Sequence, residues 1–321
     1  MGDLIALRRS SARTAGAGQR LLLRAARGKP RRLRLSGKMR ADEAFRAILA
    51  DALGAAAAQA GLLRSGRSVE ALHDLRVALR RLEVMLDAFG AAFEQEWFAD
   101  LRSRAKAISA RLAPARDLDV FLEDLWPEAT RGGGEFAPLR RTAEDARAKA
   151  WEDIEACLGS EDFGHFVDDI AALSQSRLPL GGGRRIRPVA RQLLARAARR
   201  VARRGRRAKS RNEADLHRLR IGLKKLRYLS QLFAPLYDGP RAGPYLKALK
   251  RLQEELGHLN DITHVRTTIA DLMRAGDPAA IGYGAGLVLG HYSAGRTRIA
   301  RKALKRYRNF RDLKPFWKKG R

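Results

Sequence analysis

Histidine and cationic side chains recur along one flank of two related segments. In LHDLRVALRRLEVMLDAF (72–89) they are His73, Arg76 and Arg80; in LHRLRIGLKKLRYLSQLF (216–233) they are His217, Arg220, Lys224 and Arg227. Steps of three or four residues stack such groups on one side of a helix. Stacked cations repel one another unless an anion lies among them. The chemistry they suggest is therefore the holding of a multiply charged anion by charge-assisted hydrogen bonds. The two segments align 144 positions apart, with Leu, His, Leu, Arg, Leu, Leu and Phe identical at matched places. Behind each cation row runs a leucine row (Leu72, Leu75, Leu79, Leu82, Leu86; Leu216, Leu219, Leu223, Leu226) that predicts a buried stripe.

Further cations extend the rows. Arg81 and Lys225 follow at matched places, and Lys106 and Lys250 match in the next helix. A third track, Arg196, Arg200, Arg203 and Arg207, runs beside Leu193, Leu194, Ala197 and Val201. Between Arg184 and Arg227 there are eighteen basic residues and two acids, whereas residues 142–170 hold nine acids and two basic residues. Positive charge is segregated as well as abundant: 65 Lys and Arg against 35 Asp and Glu give a net charge of +30. A polyanionic partner is the expectation.

His73 and His217 admit a structural role, hydrogen bonding across a bundle interface, or a ligand role, donating to phosphate from the basic flank. Metal ligation on a helix wants a second donor one turn on, where Val77 and Ile221 stand. The adjacent His73 and Asp74 resemble a metal-dependent phosphohydrolase dyad, but neighbours on a helix point apart and the second segment has Arg218 there. Asp117, in PARDLDVFLEDL, and Asp261, in HLNDITHVRTTI, are read as lying at the start of new helices. There they either complement free amides or orient a neighbouring Arg or His.

The elements that must position these groups are helical almost throughout, and alternating β-branched runs are missing, so the class is all-α. The spacing predicts helices at about 42–64, 69–89, 94–113, 116–126, 135–158, 161–176, 187–209, 213–236, 244–257, 260–274 and 278–311. Residues 36–176 and 177–318 form two duplicated helical halves, each a bundle of antiparallel neighbours. Residues 1–35 carry ten basic residues and one acid and read as a flexible basic arm. As an organelle transit peptide they show no recognisable cleavage context.

The His73, Leu75, Arg76, Arg80, Arg81, Leu82 pattern, its partner His217, Leu219, Arg220, Lys224, Lys225, Leu226, Arg227, Tyr228, and the PARDLDV and LNDITHV segments resemble the CHAD family, the conserved histidine α-helical domain. The resemblance covers roughly 36–318. It implies two helical bundles related by pseudo-twofold symmetry, with basic side chains lining a central groove or pore that binds inorganic polyphosphate. Many relatives add a triphosphate-tunnel domain with an ExExK motif. That motif is missing from this sequence, so its phosphohydrolase chemistry is not carried over.

A linear phosphate chain offers oxygen acceptors and no bases, which suits extended Arg and Lys tracks. The candidate polyphosphate-binding residues are His73, Arg76, Arg80, Arg81, Lys106, Arg200, Arg203, Arg207, His217, Arg220, Lys224, Lys225, Arg227 and Lys250. No catalytic residue, cofactor or metal is called: the sequence has no GxxxxGK[ST] loop, GxSxG elbow or cysteine pair, and Cys157 sits in an acidic helix that should not activate it. Gly181–Gly183 read as a linker, and Gly282, Gly286 and Gly290 as a close-packing stripe. The partners expected are inorganic polyphosphate and polyphosphate granules, with nucleic acid as the alternative. Tyr307, Phe310, Phe316 and Trp317 could stack bases or pack a final helix. The apolar run Ala279–Gly290 is too short for a bilayer, which needs about 20 residues. A cytoplasmic location is expected, compatible with the single cysteine.

Overall fold

The computed structural model describes residues 33–93, 97–126, 136–176, 183–208, 212–237 and 239–318. The arm proposed for 1–35 lies outside these residues except for its last three, as do Gly181 and Gly182. The described chain is all-α, with no strand beyond one isolated bridge between Arg40 and Arg185. In chain order the helices are α1 Ala41–Ser65, α2 Val69–Phe93, α3 Trp97–Arg111, α4 Ala113–Val120, α5 Ala137–Gly159, α6 Glu161–Gln175, α7 Ile186–Arg207, α8 Glu213–Phe233, α9 Ala242–Ala275, α10 Pro278–Ser293 and α11 Arg296–Arg311. A π-helical stretch, Phe121–Leu125, continues α4, and a 3-10 turn, Ala234–Leu236, follows α8.

Local chemistry sets several of the starts. The Arg40 amide donates to Glu43 Oε2 (2.9 Å) ahead of α1. Asn212 Oδ1 accepts from the Ala214 amide (2.9 Å) to open α8. Asp277 Oδ1 accepts from Ala279 N (2.9 Å) ahead of α10, where Pro278 occupies the first turn. Each satisfies an amide that the helix itself leaves free.

Two predicted boundaries are corrected. The segments 244–257 and 260–274 are one helix, α9, because Leu252, Leu256, Leu259, Ile262, Val265, Ile269 and Leu272 continue a buried stripe straight through HLND. Asp261 therefore lies mid-helix and not at a helix start. Conversely, 278–311 is two helices: Gly295 takes φ +78°, a left-handed conformation open to glycine, and separates α10 from α11.

The chain divides into two compact units. One comprises the chain up to Ala113 together with Trp151–Leu193, and the other Pro114–Ala150 together with Leu194–Arg321. In the first, α1 packs on α2 and α6, and α3 on α2 and α6. Phe45, Phe89, Phe93 and Phe98 meet at its centre, with Phe45 and Phe89 centroids 4.9 Å apart. Gly90 lets α3 approach, since a Cβ there would lie 2.7 Å from Phe98 Cβ. By length and composition α1 could cross a membrane. Its row Phe45, Ile48, Leu49, Ala52, Leu53, Ala56 is buried in this unit, as befits a core helix.

In the second unit α9 is the axis, packed by α8, α10, α11 and the π-helical stretch. Tyr245 of α9 sits among Phe310, Phe316 and Trp317, with centroids 5.0, 5.6 and 5.2 Å away. These aromatics and Tyr307 are buried, so they pack the C-terminal segment and offer no platform for bases. The glycine stripe of α10 is corrected too: Gly286 and Gly290 are exposed, and the packed face is Ile281, Gly284, Ala285 and Val288.

Candidate functional site

The first cation row lies on α2, whose leucines 72, 75, 79, 82 and 86 are all buried. His73, Arg80 and Arg81 are exposed and Arg76 is half-buried. Arg76 Nη1 donates to the Ser109 carbonyl (3.0 Å), one of the last carbonyls of α3. Glu83 accepts from Ser109 Oγ (2.7 Å) and from Arg80 Nη1 (3.1 Å). Part of this row is thus engaged in joining α2 to α3, a use that charge spacing alone did not reveal. Lys106 is exposed on α3.

The second row lies on α8, in the other unit. Leu216, Leu219, Leu223 and Leu226 are buried, His217 is exposed, and Arg220, Lys224, Lys225 and Arg227 are half-buried. Partial desolvation by its neighbours, although the side chain reaches solvent, and then the charges of Arg220 and Lys224 hold the His217 imidazole below its ordinary pKa. A narrow crevice is lined by His217, Arg220, Asn260, Thr263, Glu213 and Arg296. Its one carboxylate is saturated: Glu213 accepts from Thr263 Oγ1 (2.7 Å), Arg296 (2.8 Å) and Arg266 (3.2 Å). The Thr263 hydrogen bond outweighs the opposing effect of burial, and with the two guanidinium charges it keeps Glu213 below the usual carboxylate range. Such a carboxylate is a structural anion, already spent. Arg227 lies over the Tyr228 ring at 5.7 Å.

The α7 track joins this row. Leu194 and Val201 are buried, Arg203 and Arg207 exposed, Arg200 half-buried. Arg204 Nη1 donates to the Arg218 carbonyl of α8 (3.0 Å). Gly222 permits that approach, for a Cβ there would come 3.1 Å from the same guanidinium nitrogen. The structure therefore brings Arg204 of α7 against α8 within one unit. Lys250, exposed on α9, sits 3.8 Å from Glu254.

Three buried acids escaped the sequence reading: Asp42 of α1, which binds Arg40 (3.1 Å) and Arg46 (3.1 Å), and two in the second unit. Asp119 is fully buried and accepts from Arg147 Nε (2.6 Å). Glu255 of α9 binds Lys302 (3.0 Å) and Arg306 (2.7 Å) of α11. The signal of these last two lay in spacing: both sit in otherwise apolar helical rows. Asp117 lies one turn into α4, and its carbonyl is 2.8 Å from His264 Nε2. Among the described residues no group of three or more His, Cys, Asp or Glu could hold a metal ion. Burial pushes the Cys157 thiol up, the opposite of activation.

Comparison with known proteins adds lineage to this geometry. The family model described as the CHAD domain matches residues 47–270. The crystal structure of the CHAD domain from the plant Ricinus communis superposes with a TM-score of 0.77 at 24% identity, covering 90% of this chain and 97% of that one. PptA from Streptomyces chartreusis superposes with a TM-score of 0.66 at 19% identity, covering 84% and 100%. No curated protein matches the chain.

Proposed function

Since the chain belongs to the CHAD domain family, we propose that it is a non-catalytic binding protein for inorganic polyphosphate. The observation that carries this reading is the charge of the α7–α8 surface. Both acids between Arg184 and Arg227 are committed, Asp215 to Arg218 (2.7 Å) and Glu213 to Arg266 and Arg296. That surface carries a dense row of cations on a leucine core. Arg and Lys held at helical spacing can donate to successive phosphate oxygens without reading bases. Among the described residues of these helices, the one aromatic beside the cations is half-buried Tyr228, under Arg227, whereas single-strand nucleic-acid binders interleave aromatics along the track.

The test is competition binding at near-physiological salt, with long-chain polyphosphate against duplex DNA and single-stranded RNA of matched charge. The expected result is a large preference for polyphosphate that falls when Arg220 and Lys224 are replaced by alanine. Comparable affinities for all three would replace this reading with that of a general polyanion or nucleic-acid binder.

A further inference from the structure

Helix α11 carries a cation row that the repeated segments do not contain. Arg298, Arg301, Lys305 and Arg308 follow at steps of three, four and three, spanning about 15 Å of helix. All four are exposed, and no acidic side chain among the described residues pairs with them. Their neighbours Lys302 and Arg306 instead bind Glu255 and so hold α11 on α9. The row borders an open groove of about 950 Å3 between α11 and α7, to which Arg206 adds a further cation. Ala202, Gly205, Leu304 and Tyr307 supply the groove's less exposed lining, and among the described residues no acid lines it. A neighbouring groove of about 1030 Å3 shares Ala202, Tyr307 and Arg311 and likewise contains no acid.

A close contact joins α11 to α7 along the groove. Tyr307 stands against Gly205, where a Cβ would lie 2.0 Å from its ring, and its hydroxyl donates to the Val201 carbonyl (3.4 Å). Gly205, the one glycine inside the run ARRVARRGRR, is therefore the seat of α11 on α7. Because α7 also contacts α8 at Gly222, the groove and the His217 row lie along the same helix in the same unit.

We propose that the α7–α11 groove is a second binding track for an inorganic polyphosphate chain. The proposal rests on the polyphosphate reading and extends it to residues outside the aligned segments 72–89 and 216–233. Unpaired like charges at adjacent turns repel, and a chain of phosphates relieves every one of them at once. The groove's floor has little to offer a peptide backbone, since the Tyr307 hydroxyl is already engaged. It has nothing for a nucleobase, since that ring is buried. A ligand made only of anionic oxygens fits what is left.

The experiment uses the full chain in anisotropy titrations with labelled long-chain polyphosphate and duplex DNA across a salt series. Two variants are compared: Arg301→Ala, Lys305→Ala, Arg308→Ala on the groove, and Arg220→Ala, Lys224→Ala on the α8 row. The groove variant is expected to lose about tenfold or more in polyphosphate affinity with a shallower salt dependence, while melting as the wild type does. A charge-preserving Arg301→Lys, Arg308→Lys variant should retain binding, which separates lost charge from lost fold. Wild-type polyphosphate affinity in the alanine variant, while the α8 variant binds weakly, would sink the groove and leave the proposed function standing. A larger loss for DNA than for polyphosphate would reassign the groove to nucleic acid. Failure of the wild type to prefer polyphosphate would overturn both readings together.

Discussion

Glu255 shows how a single carboxylate organises a basic helix. Burial pushes its pKa up, but the Lys302 hydrogen bond and the Arg306 and Lys302 charges outweigh this and leave it depressed. A depressed carboxylate contributes stability that is present above its unfolded pKa and lost as pH falls through the folded value. Stability should therefore decline on acidification through and below the usual carboxylate range. Glu255→Gln should cost about 1–3 kcal/mol at neutral pH and flatten that decline in denaturant titrations; an unchanged pH profile would deny Glu255 the role. Gly205 makes a complementary case. With Tyr307 2.0 Å from an added Cβ, Gly205→Ala should overpack the contact at a cost of about 1–3 kcal/mol, seen as a lower melting temperature. Pairing it with Tyr307→Leu should recover part of the loss. His217 ties protonation to the proposed ligand. Partial desolvation first, then Arg220, Lys224 and Arg218, depress it against the pull of Glu213, and an arriving phosphate would raise it. Binding then takes up a proton, so polyphosphate affinity should strengthen as pH falls through the imidazole range. His217→Gln should abolish that slope, and an identical slope in the variant would uncouple His217 from the ligand.

Helices report themselves through periodic burial, which is why most of these elements were legible beforehand. The α2 and α8 leucine rows, the start of α8 at 213 and the apolar side of α7 all lie where spacing put them. What was misread turned on backbone conformation and on partners distant in sequence. HLND looks like a helix start because Asn and Asp favour caps, yet Leu259 and Ile262 keep the buried stripe unbroken and the helix runs on. Gly295 looks like any glycine within a long helical stretch until its positive φ separates α10 from α11. Gly295→Ala should cost about 1 kcal/mol or more, since a Cβ disfavours the left-handed region, and thermal unfolding would register it. The candidate site was half legible. Cation rows follow from spacing, but that Arg76 is bound to the Ser109 carbonyl, or that Glu213 is held by Thr263, Arg266 and Arg296, depends on packing between helices. The α11 row was written as plainly as the others; lying outside the aligned segments 72–89 and 216–233, it had no matched row to draw attention to it.

The whole molecule carries +30, and a charge of that size attracts any polyanion. The question at this scale is whether binding counts total charge or placed charge. Salt separates the two. Each phosphate neutralised at a fixed contact releases counterions and adds about −0.7 to the slope of log K against log salt for a single-stranded polyanion. If the α7–α8 row makes defined contacts, reversing Arg220 and Lys224 to glutamate should lower polyphosphate affinity steeply and flatten that slope. Reversing two arginines among residues 1–32 removes the same formal charge and should leave the slope nearly as it was. Arg76 is the poorer probe, because its guanidinium also joins α2 to α3 and reversal would confound binding with folding. Equal losses from both pairs would mean that the net charge does the binding, and that the order imposed by the leucine cores serves the fold alone.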